Sequence, residues 1–344
     1  MNKKASIILV VITALGINST TGYGAEPKLA QTGFQFLSVS SEARAAAMGE
    51  AFTAIAAQSN SVFYNPANIA RMKSRFDFAL NANNWIADIQ YLSGALAFNP
   101  KHGLYGSFTI NMLFVDYGEF LGTVVNPNKE SGYDDTGTFT PSSYSIGIAY
   151  SKMLSDRFAF GINAKYASQT LGNSFIPDPS DPSNIDAASL KENSEGVMAF
   201  DFGTIYLTGF KSLAFGMSVR NFSSQVKYEQ EGFQLPLVFN IGLAMDILDL
   251  TSVDHNVHKF LLTVDATHPR AAPEQLKIGG EYTLLGVLAL RAGYLSNLDE
   301  RGITAGIGLK KDFGRSGGRV ALDYAYTPFG VFDNVQRFSF RISL

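Results

Sequence analysis

The chain has 344 residues, with 27 basic against 30 acidic and no basic block, a balance that argues against nucleic acid as a partner. It contains no cysteine, so neither a disulfide framework nor a thiolate metal site is available, and stability must come from burial and backbone pairing. Hydrophobic residues make up 46% of the chain, yet no stretch after residue 25 is long and apolar enough for a membrane helix, which leaves a β architecture.

At the N-terminus, Lys3 and Lys4 precede the apolar run ASIILVVITALGI, and the small residues Gly22, Gly24 and Ala25 offer a cleavage site. The run is too short to cross a bilayer, so residues 1–25 read as a secretory signal peptide and the mature chain as starting near Ala25 or Glu26. No Pro/Ser-rich linker or charge run divides the mature chain. The expected organisation is a leader (1–25), an N-terminal segment (26–74) and one β domain (75–344).

Within the N-terminal segment, Ser41 to Met72 is the one stretch that reads as a helix. Ala43, Ala45, Ala46, Ala47, Gly49, Ala51, Ala54, Ala56 and Ala57 would make a thin rod suited to a confined space. Ser40 or Ser41 is the expected N-cap, Glu42 falls in the first turn, and Asn65-Pro66 is expected to end the segment in a turn. Met48, Ala51, Phe52 and Ile55 recur at the spacing of one helix face, and Glu42, Arg44 and Glu50 are available to pair with surrounding charges.

The ordered set Arg44, Met48, Gly49, Ala51, Phe52, Thr53, Ala54 and then Asn65, Pro66 and Ala67 resembles the N-terminal signature of the PorV/PorQ family, within the wider FadL-like outer-membrane proteins. The resemblance implies that the segment folds as a plug inside a 14-stranded barrel. It also implies a place in type IX secretion, where such proteins receive cargo through its C-terminal signal domain and pass it to the cell surface. The implied partners are the outer-membrane bilayer, secreted cargo and other type IX components. The competing expectation is a FadL-like channel that takes up hydrophobic molecules.

From Arg75 onward the chain alternates with period 2. Phe158, Phe160, Ile162, Ala164 and Tyr166 fall on one face, and Arg157, Ala159, Gly161, Asn163 and Lys165 on the other. Tyr144 to Tyr150, Leu213 to Val219 and Val320 to Tyr326 repeat the pattern. Alternation alone does not separate a water-facing sheet from a lipid-facing one. Strand count and loop length favour a transmembrane barrel: 14 strands are expected, from 75–83 to 335–344, an even number, with the long connections 114–138 and 171–194 on one side. Tight turns such as Gly209-Phe210-Lys211 fall on the other, and 247–257 is long for its side. In the last strand, Phe338, Phe340, Ile342 and Leu344 share a face, Leu344 standing where such barrels usually end in an aromatic residue.

The fold class is therefore all-β, a 14-stranded antiparallel outer-membrane barrel with an N-terminal helical plug. Fourteen strands enclose space that must be plugged or conduct. Lys165, Asp201, Asp265, Lys277, Glu281, Arg291, Asp323, Arg337 and Arg341 are expected to face the lumen, where Glu42, Arg44 and Glu50 would pair with some of them or water would solvate them.

Catalytic chemistry is nearly absent from the pattern. His102, His255, His258 and His268 fall at turns or strand ends, no G-x-S-x-G occurs, and no enzyme activity is expected. His255 and His258 at i, i+3 lack a further ligand nearby, and no metal or cofactor is expected. The loop IPDPSDPSNID gathers Asp178, Asp181 and Asp186, which could hold Ca²⁺, but EF-hand spacing is missing and a solvated loop is the plainer reading. No phosphate-cradling glycine motif follows a strand.

Overall fold

A computed structural model describes residues 32–55, 58–126, 129–176, 189–298, 300–314 and 317–344. The expected leader, the first residues of the 26–74 segment, Ala56, Ala57 and the carboxylates Asp178, Asp181 and Asp186 lie outside the described residues.

The strands are β1 (Phe76–Asn84), β2 (Gln90–Phe98), β3 (Ser107–Asp116), β4 (Phe120–Val125), β5 (Tyr133–Phe139), β6 (Ser142–Met153), β7 (Phe158–Ile176), β8 (Ser189–Leu207) and β9 (Ala214–Ser223). They continue as β10 (Val226–Lys227), β11 (Gly232–Phe233), β12 (Val238–Asp246), β13 (His258–Pro269), β14 (Gln275–Leu284), β15 (Leu288–Leu295), β16 (Ile303–Phe313), β17 (Gly318–Pro328) and β18 (Asn334–Ser343). Fourteen of them form a closed antiparallel barrel in which each strand pairs with its neighbours along the chain. Closure pairs β1 with β18, Leu80 facing Phe340 and Asn81 facing Ser339, so the sheet has no open edge.

The side-chain pattern is inverted relative to a water-soluble sheet. Along β3, Phe108, Ile110, Met112 and Phe114 are exposed while Ser107, Thr109, Asn111, Leu113 and Val115 are buried. Leu92 and Leu96, Ile146 and Ile148, Leu290, Ile307 and Leu309, and Phe338 and Phe340 extend the same apolar band around the outside. Soluble monomers rarely expose apolar patches beyond a few hundred Å². A continuous apolar outer surface on a closed sheet belongs in a bilayer, and this is an outer-membrane barrel. Phe76 stacked on Phe98 and Phe108 against Tyr150 sit at the strand ends that share a side with both barrel termini, as an interfacial aromatic girdle does.

Two of the expected loops carry structure. The stretch 114–138 contains the β4–β5 hairpin, and 171–194 is shortened because β7 and β8 run on beyond the band to Ile176 and from Ser189. Both project on the side opposite the barrel termini, the extracellular side by the loop-length rule.

The N-terminal segment departs from the single rod expected. Among the described residues of the segment only Ala43–Ala47 is α-helical; Ser59–Phe63 and Pro66–Arg71 are 3-10 turns. The N-cap is Glu42, whose carboxylate accepts the Ala45 N–H, and not Ser40 or Ser41. Asn65-Pro66 starts a 3-10 turn instead of ending the segment, because the Asn65 side chain accepts the Ala67 N–H at 3.0 Å. The helix stops where Gly49 takes a φ of 63°, a conformation that costs glycine little and other residues much.

Candidate functional site

The inner faces of the strands are lined with small residues where the N-terminal segment crosses them. A Cβ added at Gly279 or Gly293 would fall on the backbone of Met48 and Gly49, and one at Gly306 on Ala47. Added atoms at Gly216 and Gly242 would meet Thr53, at Gly203 Asn65, and at Gly161 Pro66 and Ala67. These glycines come from seven different strands. Backbone therefore lies against backbone around much of the wall, which explains why both partners are rich in small residues.

Close approach hides backbone groups from water, and each needs a partner. The wall supplies them. The Ala43 N–H donates to Ser339 Oγ at 2.8 Å, Gly49 N–H to Thr304 Oγ1 at 3.0 Å, Thr53 N–H to Asp265 Oδ2 at 2.9 Å and Ser59 N–H to Asp77 Oδ1 at 2.9 Å. The Arg337 guanidinium, fully buried, donates to the Ser40 carbonyl at 2.8 Å and to Thr327 at 3.0 Å.

All eight candidate residues of the N-terminal motif are buried. Arg44 forms two hydrogen bonds to Glu281, at 2.7 and 2.8 Å, and lies 5.4 Å above the Phe52 ring. Met48 and Gly49 face β14 and β15, and Phe52 packs against Tyr64 with ring centroids 5.1 Å apart. The Asn65 amide donates to the carbonyls of Thr53 (2.8 Å) and Thr204 (3.0 Å), joining the two halves of the motif to each other and to β8. Pro66 and Ala67 sit on Gly161, and Ala51 is wholly enclosed.

Two charge clusters tie segment to wall. In one, Glu281 holds Arg44, Arg291 (2.6 Å) and Lys310 (3.4 Å), with Arg291 also 2.7 Å from Asp323. In the other, Glu50 holds Lys277 at 3.1 Å and Arg301 at 2.6 Å. Burial pushes the Glu50 carboxyl up, but Arg301, Lys277 and Arg337 outweigh it and hold the group well below the usual carboxylate range. Lys165 and Asp201 pair with each other at 2.9 Å, not with the segment, and Arg341 lies 4.0 Å from Asp77. Arg301, Asp77, Ser339 and Thr304 are contacts the sequence pattern did not single out; which residue on one strand meets which atom of the segment depends on register, and period 2 carries no register.

Toward the extracellular end the character changes. Phe34, Phe36 and Leu37 fill an apolar cluster with Tyr91, Leu113, Val115, Val197 and Leu235. The Gly33 N–H donates to the Gln234 carbonyl at 3.2 Å. Beside this cluster a cavity of about 430 Å³ opens between Gln35, Ser38 and Glu50 of the segment and Arg220, Leu237, Pro269, Lys277 and Arg301 of the wall. Deeper cavities bounded by Ser40, Tyr64 and Arg220 measure about 40 and 10 Å³. Those hold a water molecule or little more.

A family model described as "Type IX secretion system protein PorV" matches residues 24–265. No curated protein matches the chain at a significant level. Among solved structures, the Ralstonia pickettii toluene transporter TbuX is similar with a TM-score of 0.56 at 11% identity, over 87% of this chain and 96% of that one. The Pseudomonas putida toluene transporter TodX gives 0.55 at 11%, over 87% and 96%. A Pseudomonas aeruginosa FadL homologue gives 0.51 at 11%, over 88% and 97%. At such identities the likeness is one of barrel fold.

Proposed function

Because the chain belongs to the PorV family of type IX secretion outer-membrane proteins, we propose that it acts in that system as a binding component, receiving exported cargo by its C-terminal signal domain at the extracellular loops. In this reading residues 26–74 serve as a plug and residues 75–344 as the barrel that presents the loops. Residues 1–25 direct export to the outer membrane.

The observation that carries the reading is the filled lumen. An uptake channel for hydrophobic molecules needs an apolar path wide enough for its substrate. Here the described residues between Ser40 and Met72 lie across the lumen and hydrogen-bond to its wall, and the cavities bounded by Ser40, Tyr64 and Arg220 are water-sized. Phe34, Phe36 and Leu37 occupy the apolar part of the mouth, and the cavity of about 430 Å³ beside them is bordered by the charged Glu50, Arg220, Lys277 and Arg301. The β4–β5 hairpin and the extensions of β7 and β8 give the extracellular side the surface a protein partner needs. Such a protein binds and positions; it carries no catalysis of its own.

The test is genetic and biochemical. Removing the protein should trap cargo bearing the C-terminal signal domain in the periplasm, and the purified barrel should bind that domain in detergent. Normal cargo secretion together with slowed uptake of a monoaromatic hydrocarbon would replace this reading with the FadL-like one.

A further inference from the structure

The periplasmic turn 247–257, long for its side of the barrel, carries Asp249 and His255, and Asp246 closes the strand before it. Among the described residues these three form the one group of ligand-type side chains whose donor atoms all lie within 4.8 Å of one another. Each carboxylate is already fixed by backbone. Asp246 Oδ1 accepts the N–H groups of Leu248 and Phe260 at 3.1 Å, and Asp249 Oδ2 accepts the Ser212 N–H at 3.2 Å. The Ser212 hydroxyl in turn accepts the Asp246 N–H at 2.9 Å, so the neighbouring turn clamps both residues. The second oxygen of Asp249, Oδ1, is the one that lies beside the imidazole, and a carboxylate oxygen of Asp246 is within 4.8 Å of both.

His255 Nδ1 is itself a buried atom with no hydrogen-bond partner, 3.7 Å from Asp249 Oδ1. A four-coordinate zinc ion about 2.0–2.1 Å from each donor sets neighbouring donors about 3.3 Å apart. The Asp249–His255 pair is within a few tenths of an ångström of that spacing. His258 is not within reach of the group, and its Nδ1 is paired with the Tyr282 hydroxyl at 2.6 Å.

We propose that Asp246, Asp249 and His255 bind a divalent cation of the zinc class, which ties turn 247–257 to the end of β12 on the periplasmic face. An imidazole with two carboxylates suits zinc or cobalt better than calcium or magnesium, which favour oxygen-only shells. With three protein donors the fourth position is open to water.

The test uses the full-length mature protein, free of any polyhistidine tag, in detergent. Cobalt(II) titration should give one equivalent of saturable binding with a tetrahedral visible absorption band that zinc displaces. His255→Gln and Asp249→Asn should each weaken binding by at least about tenfold, whereas His268→Gln, at an exposed pair with Glu274 on the other side of the barrel, should leave it unchanged. Heat-modifiable gel migration checks that each variant is folded. Independently of any variant, zinc should slow hydrogen exchange in 247–257 of the wild type. No saturable cobalt band, binding that survives His255→Gln, or binding lost in His268→Gln would overturn the proposal.

Discussion

Arg44 and Glu281 meet as a bidentate ion pair, Nε to Oε2 at 2.7 Å and Nη2 to Oε1 at 2.8 Å, with both side chains almost wholly buried. The two residues lie 237 positions apart, one in the N-terminal segment and one on β14. Their loss should not be symmetric. Arg44→Met leaves Glu281 with Arg291 and Lys310, but Glu281→Gln leaves Arg44 and Lys310 without their carboxylate and Arg291 with Asp323 alone. Breaking a buried pair so that a charge is stranded typically costs about 3–5 kcal/mol. Urea unfolding in lipid vesicles should place Glu281→Gln in that range and Arg44→Met clearly below it; equal losses would mean that water reaches the cluster.

Gly49 tests the packing of the segment. Its φ of 63° and the carbonyls of Ile278 and Tyr294 beside it leave no room for a side chain. Gly49→Trp, and Ala46→Trp on the helix, should destabilise by about 1–3 kcal/mol through overpacking. Melting followed by loss of heat-modifiable migration would register the shift, and wild-type melting in both variants would refute the tight fit.

The outer face makes an opposite demand. Ile110 is more than half exposed in mid-β3, where the surroundings are lipid tails. Ile110→Arg should cost about 2–4 kcal/mol if that position sits near the bilayer midplane. Val331, in the extracellular turn between β17 and β18 and 82% exposed, should tolerate arginine. Similar unfolding free energies for the two variants would contradict the placement of the membrane.

Glu50 supplies a pH signature. Its carboxyl is held below the ordinary range in the folded protein, so the stability it contributes is complete above the unfolded carboxylate value of about 4.3. That contribution falls away as pH drops through the lower folded value. The stability gap between wild type and Glu50→Gln should stay constant from about pH 8 to pH 5 and narrow only in stronger acid. A gap that closed near neutrality would show that Lys277 and Arg301 do not hold the group.

The barrel was legible in the sequence because a lipid-facing strand has to alternate. All 14 expected strands exist, most with ends within a few residues, since Phe160 and Gly161 or Phe215 and Gly216 declare their faces by chemistry alone. The conformation of the N-terminal segment was not legible in the same way. An alanine-rich run has high helix propensity, but propensity amounts to tenths of a kcal/mol per residue and yields to tertiary contacts. Ser339, Thr304, Asp265 and Asp77 take the N–H groups of Ala43, Gly49, Thr53 and Ser59, so the chain follows the wall beyond Ala47 instead of coiling on itself. The β4–β5 hairpin was hidden for another reason: projecting beyond the bilayer, its strands bear no lipid-facing stripe to mark them.

The central claim is that the N-terminal segment fills the barrel, and single-channel conductance in planar bilayers tests it most directly. The wild-type protein should pass little current. Deleting residues 33–72 removes the apolar cap of Phe34, Phe36 and Leu37 together with everything from Ser40 to Met72, and should open a continuous lumen across 14 strands that conducts ions. A deletion variant that migrates as a folded barrel yet conducts no better than the wild type would contradict the claim.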